Sequence, residues 1–289
     1  MGKMYSREPK LDNKTYPVNI EYYNSANDVA DDCQHRHLRS GGWHGPSDDS
    51  DWTGCESIDE AYELLRTGYE PVVEKLDREF KLANQQTREG KRISFKNNIC
   101  GYAPVVPLAM QGVPNSMINM TMKPIKTKVV DIYYDMTANC GVDSDDIIQS
   151  GISILSVILD LEHQGYRFNL YSVQTYADSE DCDMLIVKIK DAKQPLDLRR
   201  MSFPMCHTGF FRLIGFDWYG KNPKSRYRSC YGHEVRREFG HDEWKEFVKT
   251  TLGDTAVYLC CSKLVQKNKA DQKEYIKGVL TNVRKNPTS

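Results

Sequence analysis

The pattern of apolar and polar positions changes twice along the chain and divides it into three parts. Residues 1–50 are rich in Asn, Asp, Ser and Gly and have no sustained apolar period. This pattern predicts an irregular N-terminal arm with one short helix around residues 25–36. Residues 51–125 combine two amphipathic stretches with a Pro-rich connector. Residues 126–289 alternate strand-like and helix-like runs.

Two helices are predicted in the middle part. Ser57-Ile58-Asp59-Glu60 has the spacing of a capping box, in which the Ser57 hydroxyl accepts from the amide of Glu60. Gly68 is expected to end that helix. The second helix should begin at Pro71 and end near Gln86. In the connector, residues 92–125, we expect one or two short strands and a helical turn near residues 107–111.

The last part has the clearest pattern. A continuous apolar run predicts a buried strand, and a nearly all-apolar segment then predicts a helix that is buried on most sides. The order of elements favours an α/β fold, with a mostly parallel central sheet flanked by helices. The predicted elements are strands at Val129–Tyr134, Tyr166–Tyr176, Met184–Lys190 and Thr255–Cys261, helices at about Asp145–His163, Asp242–Leu252 and Asp271–Arg284, and a partly helical segment at Leu196–Phe216.

Composition narrows the class of protein. Of the 289 residues 27% are charged, and the formal net charge is −1, so the whole chain is not attracted to nucleic acid or anionic lipid. The longest apolar stretch, Ile152–Leu161, is too short to span a bilayer, and the N-terminus lacks an apolar signal core. Nine cysteines without a C-x-x-C spacing indicate reduced thiols. We therefore expect a cytoplasmic protein without a membrane segment.

Asp135 is the first candidate for chemistry, because it lies where the strand Val129–Tyr134 ends. Thr137 and Asn139 follow it at alternate positions. An acidic residue at the carboxyl end of a strand, followed by hydroxyl and amide side chains, presents oxygen ligands that suit Mg²⁺ or Ca²⁺.

The stretch from Val129 to Tyr176 resembles the start of a von Willebrand factor A-type domain. In that family the first strand ends in Asp-x-Ser-x-Ser, part of a metal-ion-dependent adhesion site, and Asp135, Thr137 and Asn139 match it. Thr208 is the counterpart of a later threonine of that site. The resemblance implies a von Willebrand A-like or Rossmann-like domain over residues 126–289, preceded by a helical segment and connector over residues 51–125. Asn139 departs from the pattern, and no Thr-Asp-Gly follows a later strand.

Residues 50–289 also resemble a group of phage and bacterial proteins, and that resemblance implies no particular activity. Trp52-Thr53-Gly54, the Pro-rich connector and the last part of the chain carry it.

Our first hypothesis is a non-enzymatic interaction module. It would bind a protein partner through the loops at the carboxyl ends of its strands, with a Mg²⁺ or Ca²⁺ ion as an aid. This function needs neither a nucleophile nor a general base. The adjacent Cys206 and His207 cannot form such a pair, because neighbouring helical residues point about 100° apart.

A second hypothesis is a Mg²⁺-dependent nuclease or phosphodiesterase. Asp135 and the acidic stretches 143–146 and 178–183 follow neighbouring predicted strands, and carboxylates that converge there could hold two metal ions. The alternative for both stretches is structural, as helix caps and solvated loops.

A third hypothesis is nucleic-acid binding through the basic and aromatic segment 218–237. Arginines there could clamp phosphates while tyrosines stack on bases. The candidate residues are Lys221, Lys224, Arg226, Tyr227, Arg228, Arg236 and Arg237. The sequence alone fixes neither the partner nor the oligomeric state.

Overall fold

The computed structural model describes residues 2–11, 14–36, 50–84, 93–122, 129–139, 141–222 and 234–285. Its strands are β1 (Lys3–Arg7), β2 (Lys10–Leu11), β3 (Lys14–Thr15), β4 (Val18–Tyr23), β5 (Ile93–Asn98), β6 (Ala103–Pro104), β7 (Met117–Met122), β8 (Val129–Asp135), β9 (Arg167–Ala177), β10 (Cys182–Lys190) and β11 (Ala256–Cys260).

The helices surround these strands on both sides of the main sheet. They are α1 (Ala26–His35), α2 (Ser50–Thr53), α3 (Ile58–Thr67), α4 (Glu70–Asn84), α5 (Val106–Met110), α6 (Ser144–His163), α7 (Leu198–Cys206), α8 (Phe216–Lys221), α9 (His241–Leu252), α10 (Cys261–Leu264) and α11 (Lys269–Lys285). A π-helix, Phe210–Gly215, joins α7 to α8, and a 3₁₀ helix, Val235–Glu238, precedes α9.

Six strands form the main sheet in the order β1-β4-β10-β9-β8-β11. The neighbours β9, β8 and β11 are parallel to one another, and β4 is parallel to β10. The β9–β10 and β1–β4 pairs are antiparallel. The predicted class, a mixed α/β sheet that is mostly parallel and flanked by helices, is confirmed. The hairpin between β9 and β10 reverses the chain, so the carboxyl ends of β4 and β10 lie at the sheet edge opposite to those of β8, β9 and β11.

The predicted irregular arm over residues 1–50 is wrong for two segments, because β1 and β4 are strands of the main sheet. Buried Glu21 of β4 accepts from Trp218 Nε1 at 2.8 Å and pairs with Arg36 at 2.5 Å, so this segment is held against the body of the protein. The short helix expected near residues 25–36 is present as α1, capped by Ser25. Residues 12–13 and 37–49 lie outside the described residues.

Local signals placed the two following helices well. The Ser57 hydroxyl accepts from the amide of Glu60 at 3.1 Å, and Gly68 ends α3 with a φ of 91° that favours glycine. The return bond of the predicted capping box is shifted by one residue, because the Glu60 carboxylate accepts from the amide of Glu56. The segment 196–216, predicted to be only partly helical, is almost continuously helical as α7 and the π-helix, with Pro204 inside α7.

The connector 92–125 contains more structure than expected. Strands β5, β7 and β6 form a separate three-stranded antiparallel sheet, and α5 lies between β6 and β7. We call residues 93–122 the connector sheet. None of its residues belongs to either buried core cluster of the described residues.

The larger core cluster lies on the sheet face covered by α6 and its neighbours. Gly151 of α6 allows a close approach to α7, because a Cβ there would lie 2.2 Å from the Met205 carbonyl oxygen. The smaller cluster lies on the other face, under α9 and the 3₁₀ helix, and includes Val173, Val235 and Phe247.

No helix among the described residues is long and apolar enough to cross a membrane. Seven cysteines are described, and all seven are free thiols; Cys100 in the connector sheet is exposed and the other six are buried.

Candidate functional site

Asp135 is the last residue of β8 and is fully buried. One carboxylate oxygen, Oδ1, accepts from the amide of Thr137 at 2.9 Å. The other, Oδ2, accepts from the hydroxyl of Tyr258 at 2.7 Å and from that of Thr175 at 3.2 Å. The site is therefore built from three adjacent strands, β8, β9 and β11, at the edge where the sequence predicted it.

Two threonines link Asp135 to the segment that covers it. The amide of Thr175 donates to the Thr137 hydroxyl at 2.8 Å, and the amide of Val235 donates to the Thr175 hydroxyl at 3.2 Å. Since Val235 begins the 3₁₀ helix, this helix closes the carboxyl edge of the sheet above Asp135. The Asp135 carboxylate is fully buried beneath these contacts.

Burial dominates the electrostatics of the site. Burial, together with the smaller effect of the nearby Glu234 carboxylate, raises the pKa of the Asp135 carboxyl to about 7, against the hydrogen bonds from Thr137 and Tyr258. Glu234 is buried as well, and its carboxylate accepts from the Ser262 hydroxyl at 2.5 Å. Burial and the neighbouring carboxylate thus favour the protonated form of Asp135.

Two of the four predicted metal ligands, Asp135 and Thr137, share this site. Asn139 is exposed, whereas Asp135 and Thr137 are fully buried. The Thr208 hydroxyl donates to the carbonyl oxygens of Trp52 and Thr53 at 3.0 and 3.1 Å. Among the described residues no group of three or more His, Cys, Asp or Glu side chains could hold a metal ion. Cation binding by these four residues stays a prediction, and no step below depends on it.

Thr208 instead belongs to a buried junction with the Trp52-Thr53-Gly54 segment. His207 lies between Phe203 and Tyr69, with ring centroids 4.9 and 4.3 Å away. Its Nδ1 accepts from the amide of Gly209 at 3.1 Å. Burial lowers the pKa of His207 to about 4, so this ring is neutral at physiological pH. The segments Trp52-Thr53-Gly54 and His207-Thr208-Gly209 thus pack against each other in the interior of the protein.

The two acidic stretches have structural roles. Asp143 caps α6 by accepting from the amide of Asp145, and Asp178 accepts from the amides of Glu180 and Asp181 in the β9–β10 turn. Asp135 pairs with Val173, while β9 continues to Ala177, about 13 Å further at ~3.3 Å per residue. The second stretch therefore lies well beyond Asp135, and the described residues give no support to a two-metal nuclease.

The described basic residues of segment 218–237 also have partners within the protein. Lys221 pairs with Asp217 at 2.7 Å and donates to the Cys33 carbonyl oxygen. Arg236 donates to the Phe239 carbonyl oxygen, and its guanidinium lies 5.2 Å from the centre of the Trp244 ring. The side chains of Lys224, Arg226, Tyr227, Arg228 and Arg237 lie outside the described residues.

The connector sheet carries the most prominent surface feature. Among the described residues, six of the seven exposed large apolar side chains lie on it: Phe95, Ile99, Tyr102, Val106, Met110 and Val113, with the seventh at Val129. Met110 is 84% exposed. Residues 93–122 contain one charged side chain, Lys96, in a protein that is 27% charged overall.

Sequence reasoning missed both the partners of Asp135 and this surface. Thr175, Tyr258 and Glu234 lie 40 or more positions from Asp135, and no local pattern links them. The connector sheet did leave a signal, because 30 residues with a single charge are unusual in a connector. The prolines favoured the interpretation of a connector with one or two short strands and a helical turn.

A family model described as a domain of unknown function, DUF7192, matches residues 10–285. Neither the search of curated proteins nor the search of solved structures found a match. The family match covers nearly the whole chain, including the connector sheet and all the strands of the site.

Proposed function

The chain belongs to the DUF7192 family, and we propose that it is a non-enzymatic interaction module that binds a protein partner through the connector sheet. The observation that carries this proposal is the concentration of exposed apolar side chains in residues 93–122. Exposed apolar side chains that are concentrated in one segment of a soluble protein often mark an interaction site.

A von Willebrand A-like body is part of the proposal. Its support is the succession β8, α6, β9, in which two parallel neighbouring strands are joined through a long buried helix. Asp135 and Thr137 lie at the carboxyl end of the first of these strands, in agreement with the sequence resemblance. In this proposal the body supports the connector sheet, and the covered Asp135 site is not the contact surface.

The connector sheet lacks a core of its own. None of its residues whose exposure is described is buried. Small sheets are marginally stable in water unless an apolar face packs against another element. A partner that covers Tyr102, Val106 and Met110 would supply the missing packing and order the unit further.

The unpaired backbone groups of the connector sheet favour a protein partner over a lipid surface. Among the described residues β5 pairs only with β7, so one edge of β5 offers its backbone groups to a further strand. A protein can add such a strand and satisfy these groups. The interior of a bilayer cannot, because unpaired backbone groups are costly in hydrocarbon.

Site-specific photo-crosslinking tests the proposal. A photo-reactive phenylalanine analogue would replace Tyr102 in one variant and Val129 in another, since Val129 is exposed to 42% but lies outside the connector sheet. In the native host cell we expect a defined protein adduct from position 102, and none of that mass from position 129. A second copy of the chain counts as a protein partner.

A triple variant tests whether the exposed apolar side chains of the connector sheet are needed for the complex. Tyr102→Ser, Val106→Ser and Met110→Ser together should abolish the complex, while Val129→Ser should retain it. Circular dichroism and the melting temperature establish that the variant remains folded. Lipid adducts, flotation with vesicles, or equal adducts from both positions would overturn the proposal.

A further inference from the structure

The sheet edge opposite Asp135 contains a polar cavity of about 320 Å³. It lies where the parallel strands β4 and β10 end, and ligands of open α/β sheets bind outside the carboxyl ends of parallel strands. Its volume is at the lower end of the range of small-molecule sites. The hairpin between β9 and β10 creates this second edge, which the sequence did not indicate.

The lining is rich in charged side chains. Four cationic side chains, Arg66, Lys188, Lys190 and Arg200, line the cavity together with one carboxylate, Asp191, which pairs with Lys188 at 2.6 Å. Lys190 is 3% exposed and is fixed by Glu162 at 2.7 Å and by two backbone carbonyl oxygens. The wall of the cavity is therefore held in place here by a buried ion pair.

The two arginines are free to change partners. Arg66 pairs with Asp31 at 3.0 Å and Arg200 with Asp197 at 3.4 Å, and all four of these side chains are at least 40% exposed. Ion pairs at such exposure contribute little, about 0–1 kcal/mol. A guanidinium can therefore exchange its carboxylate for a bidentate contact with a phosphate.

The start of helix α1 also favours an anion in this cavity. Residues 24–27, which line the cavity, contain the start of the ten-residue helix α1. The first amides of a helix carry partial positive charge and attract anions.

We propose that this cavity binds the phosphate group of a small phosphorylated molecule, with Arg66, Lys188 and Arg200 as its ligands. A phosphate monoester carries about −1.5 to −2 charges at neutral pH, so it can take the place of the exposed carboxylates that pair with Arg66 and Arg200. The side-chain amides of Asn24, Asn27 and Gln194, which also line the cavity, suit a polar remainder of that molecule.

Isothermal titration at constant ionic strength tests the site, with inorganic phosphate, pyrophosphate and ribose 5-phosphate as probes. We expect saturable binding of the phosphorylated probes. The double variant Arg66→Gln with Arg200→Gln should weaken it at least tenfold, and both side chains are exposed enough for the fold to tolerate the change.

The chain offers a matched control. Arg199 and Arg78 are also exposed and form surface ion pairs, with Glu70 and Glu74, but they do not line the cavity. Arg199→Gln with Arg78→Gln should leave the affinity within twofold of the wild type. The proposal is overturned by an absence of saturable binding, by equal losses in both double variants, or by a phosphoserine peptide that binds at least tenfold more tightly than every small probe.

Discussion

Replacement of Asp135 by Asn should change how stability depends on pH. In the folded protein the pKa of this carboxyl is raised from 3.8 to about 7. Between these two values the folded state holds a proton that the unfolded chain has lost. The free energy of unfolding must therefore fall as the pH rises from about 4 to about 7. A shift of about three units corresponds to roughly 4 kcal/mol.

His207 acts in the opposite direction. Its pKa is lowered from 6.5 to about 4, so below pH 6.5 the unfolded chain binds a proton that the folded state does not. Its contribution is complete above pH 6.5 and is lost as the pH falls through about 4, by roughly 3 kcal/mol. In the wild type the two slopes oppose each other between pH 4 and 6.5. The Asp135→Asn variant lacks the contribution of Asp135, so its stability should show the dependence on pH that His207 causes.

The assay is urea unfolding from pH 4 to pH 8, followed by tryptophan fluorescence. The difference in unfolding free energy between Asp135→Asn and wild type should grow with pH by roughly 4 kcal/mol and then level off above pH 7. His207→Gln should instead gain stability, relative to wild type, as the pH falls. Tyr258→Phe keeps the Asp135 carboxyl but removes a hydrogen-bond donor to it, which raises the pKa of that carboxyl. In this variant the loss of stability with rising pH should therefore extend to higher pH than in the wild type. A difference between Asp135→Asn and wild type that does not depend on pH would refute the buried, raised carboxyl.

Two further predictions concern packing and cation binding. Gly151→Ala should destabilise the protein by about 1–3 kcal/mol, because the added Cβ would lie 2.2 Å from the Met205 carbonyl oxygen. Gly278→Ala, where the added Cβ would have no atom within 4 Å, should stabilise the protein by about 0.5–1 kcal/mol. Urea midpoints of the two variants that move in the same direction would contradict this prediction. If Mg²⁺ binds at Asp135, millimolar Mg²⁺ should raise the melting temperature of the wild type at pH 8 but not at pH 5. It should not change the melting temperature of Asp135→Asn. A wild type without any shift at pH 8 rejects that binding.

Elements with dense local signals could be predicted from the sequence. The apolar run that forms β8 and the twenty-residue helix α6 lie within one or two residues of the predicted bounds. Ser57 and Gly68 gave the start and end of α3, because capping depends on residues only a few positions apart.

Long-range pairing could not be predicted in this way. β4 has only six residues, and its partner β10 lies about 160 positions later, so nothing near it in the sequence marks it as a strand of the main sheet. The same limit applies to the candidate site. Asp135 was found from its place at the end of a strand, but its burial depends on Tyr258 and on the 3₁₀ helix that begins at Val235, which only the tertiary fold brings to it.

The connector sheet interrupts the chain between α4 and β8 and contributes no residue to either core cluster. Selection can therefore act on its surface without disturbing the packing on which folding depends. The proposed binding surface and the six-stranded scaffold therefore place separate demands on the sequence. Under the proposed function, exchange of this segment between two family members should transfer partner preference along with it.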